Sequence, residues 1–358
     1  MARAKKQTIN LPILSTDTNF RTQTDINKND DATGYFSTYN SPSLLDLASM
    51  KDKATPNRML KTNGLTGVFI LNNERTIVSI SQYYEQNSNL STKDKKILDF
   101  CIMLLSSQTT YKKIDTNEYL LTFTLSYFLE VFGISNPSKQ VRYRHRQQLE
   151  DSLSKLKRTS IKMSKGKNSA YQSLEIGIVE SYGVNNETIQ VRLNTDFCHD
   201  LINSSISSIP LGLFKLSDNN KNVYVIGRKL SSHYTMASNI QNDRHNIISI
   251  KSLLKSAPDI SDIETVRATD GRWGRRIKEA LEKALDQLED ERVLVWEYCN
   301  PKKKPLTDKQ LNIASYEEYE QLYIKFELLD IPENTMQSLK EKKSKKRKTA
   351  KKVINKGE

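Results

Sequence analysis

Lys139, Gln140, Tyr143, Arg144, Arg146 and Gln147 sit close together with no acid among them. Arg can bind the guanine edge bidentately, Gln can do the same for adenine, and Lys pairs with phosphate. The chemistry open to this set is recognition of a nucleic acid, not bond making. A second set, Arg272, Arg275 and Arg276, lies further along the chain. Lys162, Lys165 and Lys167 follow the first set closely and are placed to meet backbone phosphates. A charged hairpin tip kept for solubility would look the same.

Covalent chemistry has no comparable signal. No Gly-x-x-x-x-Gly-Lys-[Ser/Thr] loop is present, since Gly166-Lys167 lacks both the upstream glycine and the hydroxyl. His145, His199, His233 and His245 form no His-x-His pair. Cys198-His199-Asp200 stands alone on a short helix candidate, and Tyr83-Tyr84 has no metal-binding neighbours. The expectation is a protein that is not an enzyme, with no catalytic residue, no metal site and no cofactor.

The elements that must carry these side chains say the same thing twice. Residues 149–156 read LEDSLSKL and residues 281–288 read LEKALDQL. Leu149, Glu150, Leu153 and Leu156 match Leu281, Glu282, Leu285 and Leu288. At about 100° per residue, Val141, His145, Leu149, Leu153 and Leu156 share one face of a helix over about 138–157. Trp273, Ile277, Ala280, Leu281, Ala284, Leu285 and Leu288 share one face of a helix that starts at about Arg272. The basic sets project opposite, near each helix start. A solvated amphipathic helix has this look too; the tandem context favours groove binding. Each basic helix has a short apolar helix before it, Leu125 to Phe132 and Ile250 to Ala257, and a β-prone run after it, Thr159 to Met163 and Arg292 to Tyr298. Helix, turn, basic helix and strand is the order of a winged helix-turn-helix.

The fold class expected is therefore α+β: two tandem winged helix-turn-helix domains between a polar N-terminal arm and a basic tail. The boundaries read as a disordered polar arm over 1–63, a first domain over 64–205, a second over 206–332 and a disordered tail over 333–358. Asn72 to Arg75 reads as the turn of a hairpin. Ser91 or Thr92 caps a helix with the stripe Ile97, Phe100, Cys101, Leu104 and Leu105. The first wing is expected over 159–194, with Lys162, Lys165 and Lys167 near its first tip and Asn185-Asn186 in its second turn. Residues 195–217 read as a linker with a short helix, and 259–270 as an expanded loop. Val293 to Tyr298 and Leu322 to Leu329 form the second wing, separated by a segment holding Lys302 to Lys304.

Composition narrows the partner. The 358 residues carry 55 Lys and Arg against 42 Asp and Glu, a net charge of +13. Ten of those bases (Lys340, Lys342, Lys343, Lys345, Lys346, Arg347, Lys348, Lys351, Lys352 and Lys356) lie in residues 340–358 with only Glu341 and Glu358 against them. The tail thus holds most of the excess and supplies non-specific, salt-dependent affinity. A folded recognition surface must rest on where charges sit. Cys101, Cys198 and Cys299 are scattered and odd in number, as in a reducing compartment. With no apolar signal core and no membrane-length apolar run, a cytoplasmic protein away from the membrane is expected.

The tandem order over about residues 66–330 resembles the plasmid replication initiators with two winged-helix domains. The segments Val223-Tyr224-Val225-Ile226-Gly227-Arg228-Lys229-Leu230 and Ile250-Lys251-Ser252-Leu253-Leu254 fit their second domain by order and apolar spacing. That resemblance implies binding of double-stranded DNA at repeated origin sites, melting of adjacent A·T-rich DNA and recruitment of host replication proteins. It also implies a homodimer form and a second unit that is the main reader. The long arm, the loop from Asp259 to Asp270 and the basic tail depart from the pattern. Alternatives are a winged-helix transcriptional regulator, and a structural or RNA-associated protein whose helices pack on a partner.

Overall fold

The computed structural model describes strands at 35–40, 59–62, 66–71 and 76–80, then residues 90–329 except 107–109, 114–117, 165–172, 203–204, 270 and 312. It is a mixed α+β structure.

β1 (Tyr35–Asn40) pairs antiparallel with a distant strand, Tyr35 lying opposite Pro210. β2 (Met59–Thr62), β3 (Thr66–Leu71) and β4 (Thr76–Ile80) form a meander, with the expected hairpin closing Leu71 onto Thr76. The arm expected to be disordered over 1–63 therefore supplies β1 and β2, a correction. Its Tyr-Phe-Ser-Thr-Tyr run is β-prone but short, and its partner is remote, so no local periodicity announced it.

The first repeated unit opens with α1 (Thr92–Ser106). Ser91 and Asp94 form a capping box: the Ser91 N–H donates to Asp94 Oδ2 at 2.7 Å, and the Asp94 N–H donates to Ser91 Oγ at 3.2 Å. β5 (Thr110–Lys113) and β6 (Glu118–Thr124) follow, Tyr119, Leu121 and Phe123 pointing inward at alternate positions. Thr124 ends β6 and caps α2 (Leu125–Val131), accepting from the Tyr127 N–H at 3.1 Å. Gly133, at φ +74°, ends α2 in a Schellman turn, with Ile134 N–H bonded to Leu129 O and Gly133 N–H to Glu130 O. Ser138 caps α3 (Lys139–Lys157), whose Leu149, Leu153 and Leu156 are fully buried.

The strands after α3 belong to two sheets. β7 (Thr159–Ser164) and β8 (Ser173–Gly177) join the meander in the order β2-β3-β4-β7-β8. β9 (Val179–Val184) and β10 (Thr188–Leu193) join β5 and β6 in the order β5-β6-β10-β9. The crossover is Ile178, fully buried, whose N–H bonds to Thr159 O and whose carbonyl accepts from Asn194 N–H. The continuous 159–194 wing expected from the sequence is thus corrected to two hairpins. Only β9-β10 is in the sheet that carries the turn into α2 and α3.

Residues 195–217, read as a linker, form structure that packs inward, a third correction. α4 (Thr195–Ile202) buries Phe197, Cys198 and Leu201; β11 (Ser205–Pro210) pairs with β1; α5 (Gly212–Lys215) buries Leu213 and Phe214. Phe214 stands 6.4 Å from Phe100 and 5.5 Å from Phe132, inside the first unit's aromatic cluster. Its neighbours in sequence, Leu211 to Leu216, alternate no cleaner than a loop, so only tertiary packing reveals the role.

The second unit repeats the first. α6 (Lys221–Thr235) buries Val223, Ile226 and Leu230, and α7 (Ala237–Gln241) follows. β12 (Ile247–Ser249) ends at Ser249, which caps α8 (Ile250–Ser256) through the Ser252 N–H at 3.3 Å, as Thr124 caps α2. The expected loop before the second basic helix holds α9 (Ile263–Thr269), with Val266 buried. A π-turn (Gly274–Lys278) runs into α10 (Glu279–Asp290), where Leu281, Leu285 and Leu288 are as buried as their counterparts in α3. β13 (Leu294–Cys299), α11 (Asp308–Leu311), α12 (Tyr316–Glu320) and β14 (Tyr323–Leu328) complete it. Leu294 pairs with Leu328, and the sheet order is β12-β14-β13, the same first-third-second order as β6-β10-β9.

One apolar core runs through both units. No helix of the described residues is long and apolar enough to cross a membrane.

Candidate nucleic-acid interface

In α3 the buried leucines fix the roll of the helix, so the opposite side faces solvent. Lys139, Gln140, Tyr143 and Arg144 are exposed there, Tyr143 by 58%. Arg146 and Gln147 are half-buried on the flank. The Arg146 guanidinium lies 5.4 Å from the Tyr143 ring centroid, 3.3 Å from Asn186 Oδ1 and 3.9 Å from Glu150. A cation over a ring holds the tyrosine edge outward.

The turn between β9 and β10 leans on this same region. Arg142 pairs with Glu187 and reaches Ser126 Oγ at 3.2 Å. Glu187 accepts from Ser126 N–H at 3.2 Å and from Ser126 Oγ at 2.6 Å. Burial is the largest single influence on the Glu187 carboxyl and raises it, but the bonds from Ser126 and Arg142 together outweigh it and hold the carboxyl below its usual range. The start of α2, the first turns of α3 and the β9-β10 turn thus meet at one place. Arg142, Ser126, Asn186 and Glu187 were not among the expected site residues. The Asn185-Asn186 turn was visible in the chain; its position over α3 depends on sheet order, which was not.

Lys162 lies on β7, opposite Ile77 on one side and Glu175 on the other, in the sheet that does not carry this turn. Lys165 and Lys167 lie outside the described residues. Positive charge gathers instead where α1 starts beside α3. His145 is held below its ordinary value by burial and then by Lys93 and Arg144. Lys93 is lowered chiefly by its own burial.

The second helix is basic only at its start. Arg272, Arg275 and Arg276 are exposed, while Ile277 is buried and Trp273 is half-buried. Trp273 packs 5.7 Å from Tyr319 and 6.3 Å from Tyr316 on α12. Trp273, Ile277 and Leu281 are each four residues apart, a spacing that the wider π-turn keeps on one face better than an α-turn does. From Glu279 the sign reverses: Glu279, Glu282, Asp286, Glu289, Asp290 and Glu291 face one base, Lys283. Phosphates would be repelled there, so only the first turns suit DNA. In both helices the half-buried base one turn before the repeated glutamate pairs with it: Arg146 with Glu150, and Lys278 with Glu282 at 4.0 Å. Lys302 to Lys304 form a tight turn, with the Asn300 side chain accepting from the N–H groups of Lys302 and Lys304. Lys303 pairs with Asp243 at 2.8 Å.

The residues weighed for covalent chemistry are placed differently. Cys198 is fully buried, and burial pushes its thiol up; burial also pushes Cys101 up to about 12. A thiol so raised is a poor nucleophile. His199 packs its ring 5.9 Å from Tyr119.

No protein-family model matches the chain, and no curated protein does. Among solved structures, a selenomethionine derivative of domains 2 and 3 of RctB is similar at a TM-score of 0.39 and 12% identity, over 80% of this chain and 98% of that one. A second structure of RctB domains 2-3, spanning RctB-155-483, is similar at a TM-score of 0.36 and 11% identity, over 80% and 96%.

Proposed function

We propose that the chain is a tandem winged helix-turn-helix protein that binds duplex DNA sequence-specifically at a replication origin and starts replication of a plasmid or mobile element. It does no covalent chemistry itself; host replication proteins supply that. One observation carries this reading. Two units with the same sheet order each bury the leucine face of their basic helix, α3 in one and the π-turn with α10 in the other, and expose a basic set at its N-terminal end. That is the part of a recognition helix that meets base edges. Repeated origin sites and a homodimer form follow from the family resemblance and belong to the same proposal.

Selection of duplexes from a random pool by the full chain, at near-physiological salt with excess competitor, tests it. A recovered consensus, followed by specific binding to a fragment with repeats of that consensus beside A·T-rich DNA and opening of that DNA, supports the proposal. Recovery of no consensus, with all binding erased by salt, would leave only the basic tail as a source of affinity and sink the proposal.

A further inference from the structure

Asp99 and Arg228 are charged residues buried where the two units meet. Asp99 lies on α1, and its carboxylate takes two bonds from Arg228 of α6, Nε at 2.6 Å and Nη2 at 2.8 Å. Tyr224, one turn earlier on α6, donates its hydroxyl to the same carboxylate. Arg228 is 1% exposed and Asp99 3%. One turn before Asp99, Lys96 extends to the Leu216 carbonyl and to Asp218, both at 2.6 Å, with its ammonium 5.4 Å from the Tyr224 ring centroid.

Apolar surfaces can slide past one another; a bidentate guanidinium–carboxylate pair has one geometry. Away from water, shifting it would strand a charge. Both helices are also tied to their basic partners. Asp94, at the start of α1, accepts from Ser152 and from Lys155 of α3, the latter at 3.2 Å. On α6, Gly227 sits so close to its neighbours that a Cβ there would lie 2.6 Å from Leu213 Cδ2 and 2.9 Å from Leu288 Cδ2 of α10. The path α3, α1, α6, α10 is thus packed or hydrogen-bonded at every step.

We infer that the Asp99–Arg228–Tyr224 cluster latches the two units into one body, so that α3 and α10 present their basic ends at one fixed separation and helical phase. The latch makes the spacing between two recognised DNA segments a specificity determinant, a consequence that rests on the duplex-binding reading. The three cluster residues are positioning residues; none of them touches DNA.

Spin labels at Asp151→Cys and Lys283→Cys, both on exposed positions away from the basic sets, read the latch without DNA. The native cysteines are buried and stay unlabelled. The full chain should give one narrow distance peak, and Asp99→Asn should broaden or split it. A broad or multiple distribution in the unsubstituted background overturns the latch. So does a well-folded Asp99→Asn with an unchanged narrow peak. If Asp99→Asn does not fold, Tyr224→Phe takes its place under the same two outcomes. On a duplex selected by the full chain, inserting about one helical turn between the two footprinted segments should lower affinity at least about tenfold, to that of one segment alone. Affinity kept within about threefold would overturn the fixed spacing. Failure to select any duplex would count against the proposed function, while the distance distribution would still decide the latch.

Discussion

Removing one partner of the Asp99–Arg228 pair is the most informative perturbation of stability. Asp99→Ala leaves the Arg228 guanidinium buried with no anion and takes two hydrogen bonds and the Tyr224 acceptor with it. Breaking a buried pair in this way costs about 3–5 kcal/mol. The full chain in urea, followed by far-ultraviolet circular dichroism and tryptophan fluorescence, checks it. Taking a slope of about 3 kcal/mol/M, the upper end of the usual range, the midpoint should fall by about 1–1.7 M. Both probes should move together, since Trp273 and Trp296 are in the second unit while the lost carboxylate is in the first. The double variant Asp99→Leu/Arg228→Met removes both charges and should recover most of the loss. A single variant that loses less than about 1 kcal/mol, or a double variant no better than the single, would refute the view that a paired charge is buried there. Separate transitions for the two probes would refute the shared core.

Four further outcomes are expected. Replacing Arg272, Arg275 and Arg276 together with Ala should weaken specific binding by about 1–3 kcal/mol for each base edge no longer bonded, with the melting temperature almost unchanged because all three are exposed; a competition shift assay beside calorimetry reads both. Gly133→Ala should destabilise by more than about 1 kcal/mol in chemical denaturation, because φ is +74° and a Cβ would meet Lys215 Cγ at 3.0 Å. His233 is lowered by burial, although bonds to the Arg244 and Ile247 carbonyls act the other way. Its folded value lies below its unfolded one, so the neutral ring's contribution is complete above about pH 6.5 and is lost as pH falls toward the folded value; His233→Gln should flatten that part of a stability–pH curve. Deleting residues 340–358 should reduce the salt slope of binding to random duplex while leaving the selected consensus unchanged.

The basic helices were legible because their signal is local. Three leucine matches at helical spacing fixed the buried face, and the exposed set followed from it. The cap of α1 was legible for the same reason: Ser91, one of the two residues read as its cap, stands directly before it. What stayed hidden depends on partners far away in the chain. The strand at 35–40 pairs at 205–210, and Ile178 moves the chain from one sheet to another inside a β-prone run where only Gly177 breaks the pattern. Leu213, Phe214 and Leu216 read as a linker because their burial is supplied by the first unit's aromatic residues. The seat of the β9-β10 turn on α3 through Arg142 and Glu187 needed the sheet order β6-β10-β9. The Asp99–Arg228 pair left no signal in the sequence, since pairing across the chain has no periodicity.

The π-turn and α10 are charged against their own axis. Arg275, Arg276 and Lys278 crowd the end where backbone N–H groups already place positive charge, and Glu289, Asp290 and Glu291 crowd the end where carbonyls place negative charge. Each such placement is unfavourable by about 0.3–1 kcal/mol. In the free protein this helix therefore holds internal repulsion that an incoming phosphate would relieve at its N-terminal end. Exchanging its terminal charges should raise thermal stability while abolishing recognition, an opposition between durability and use written into a single helix.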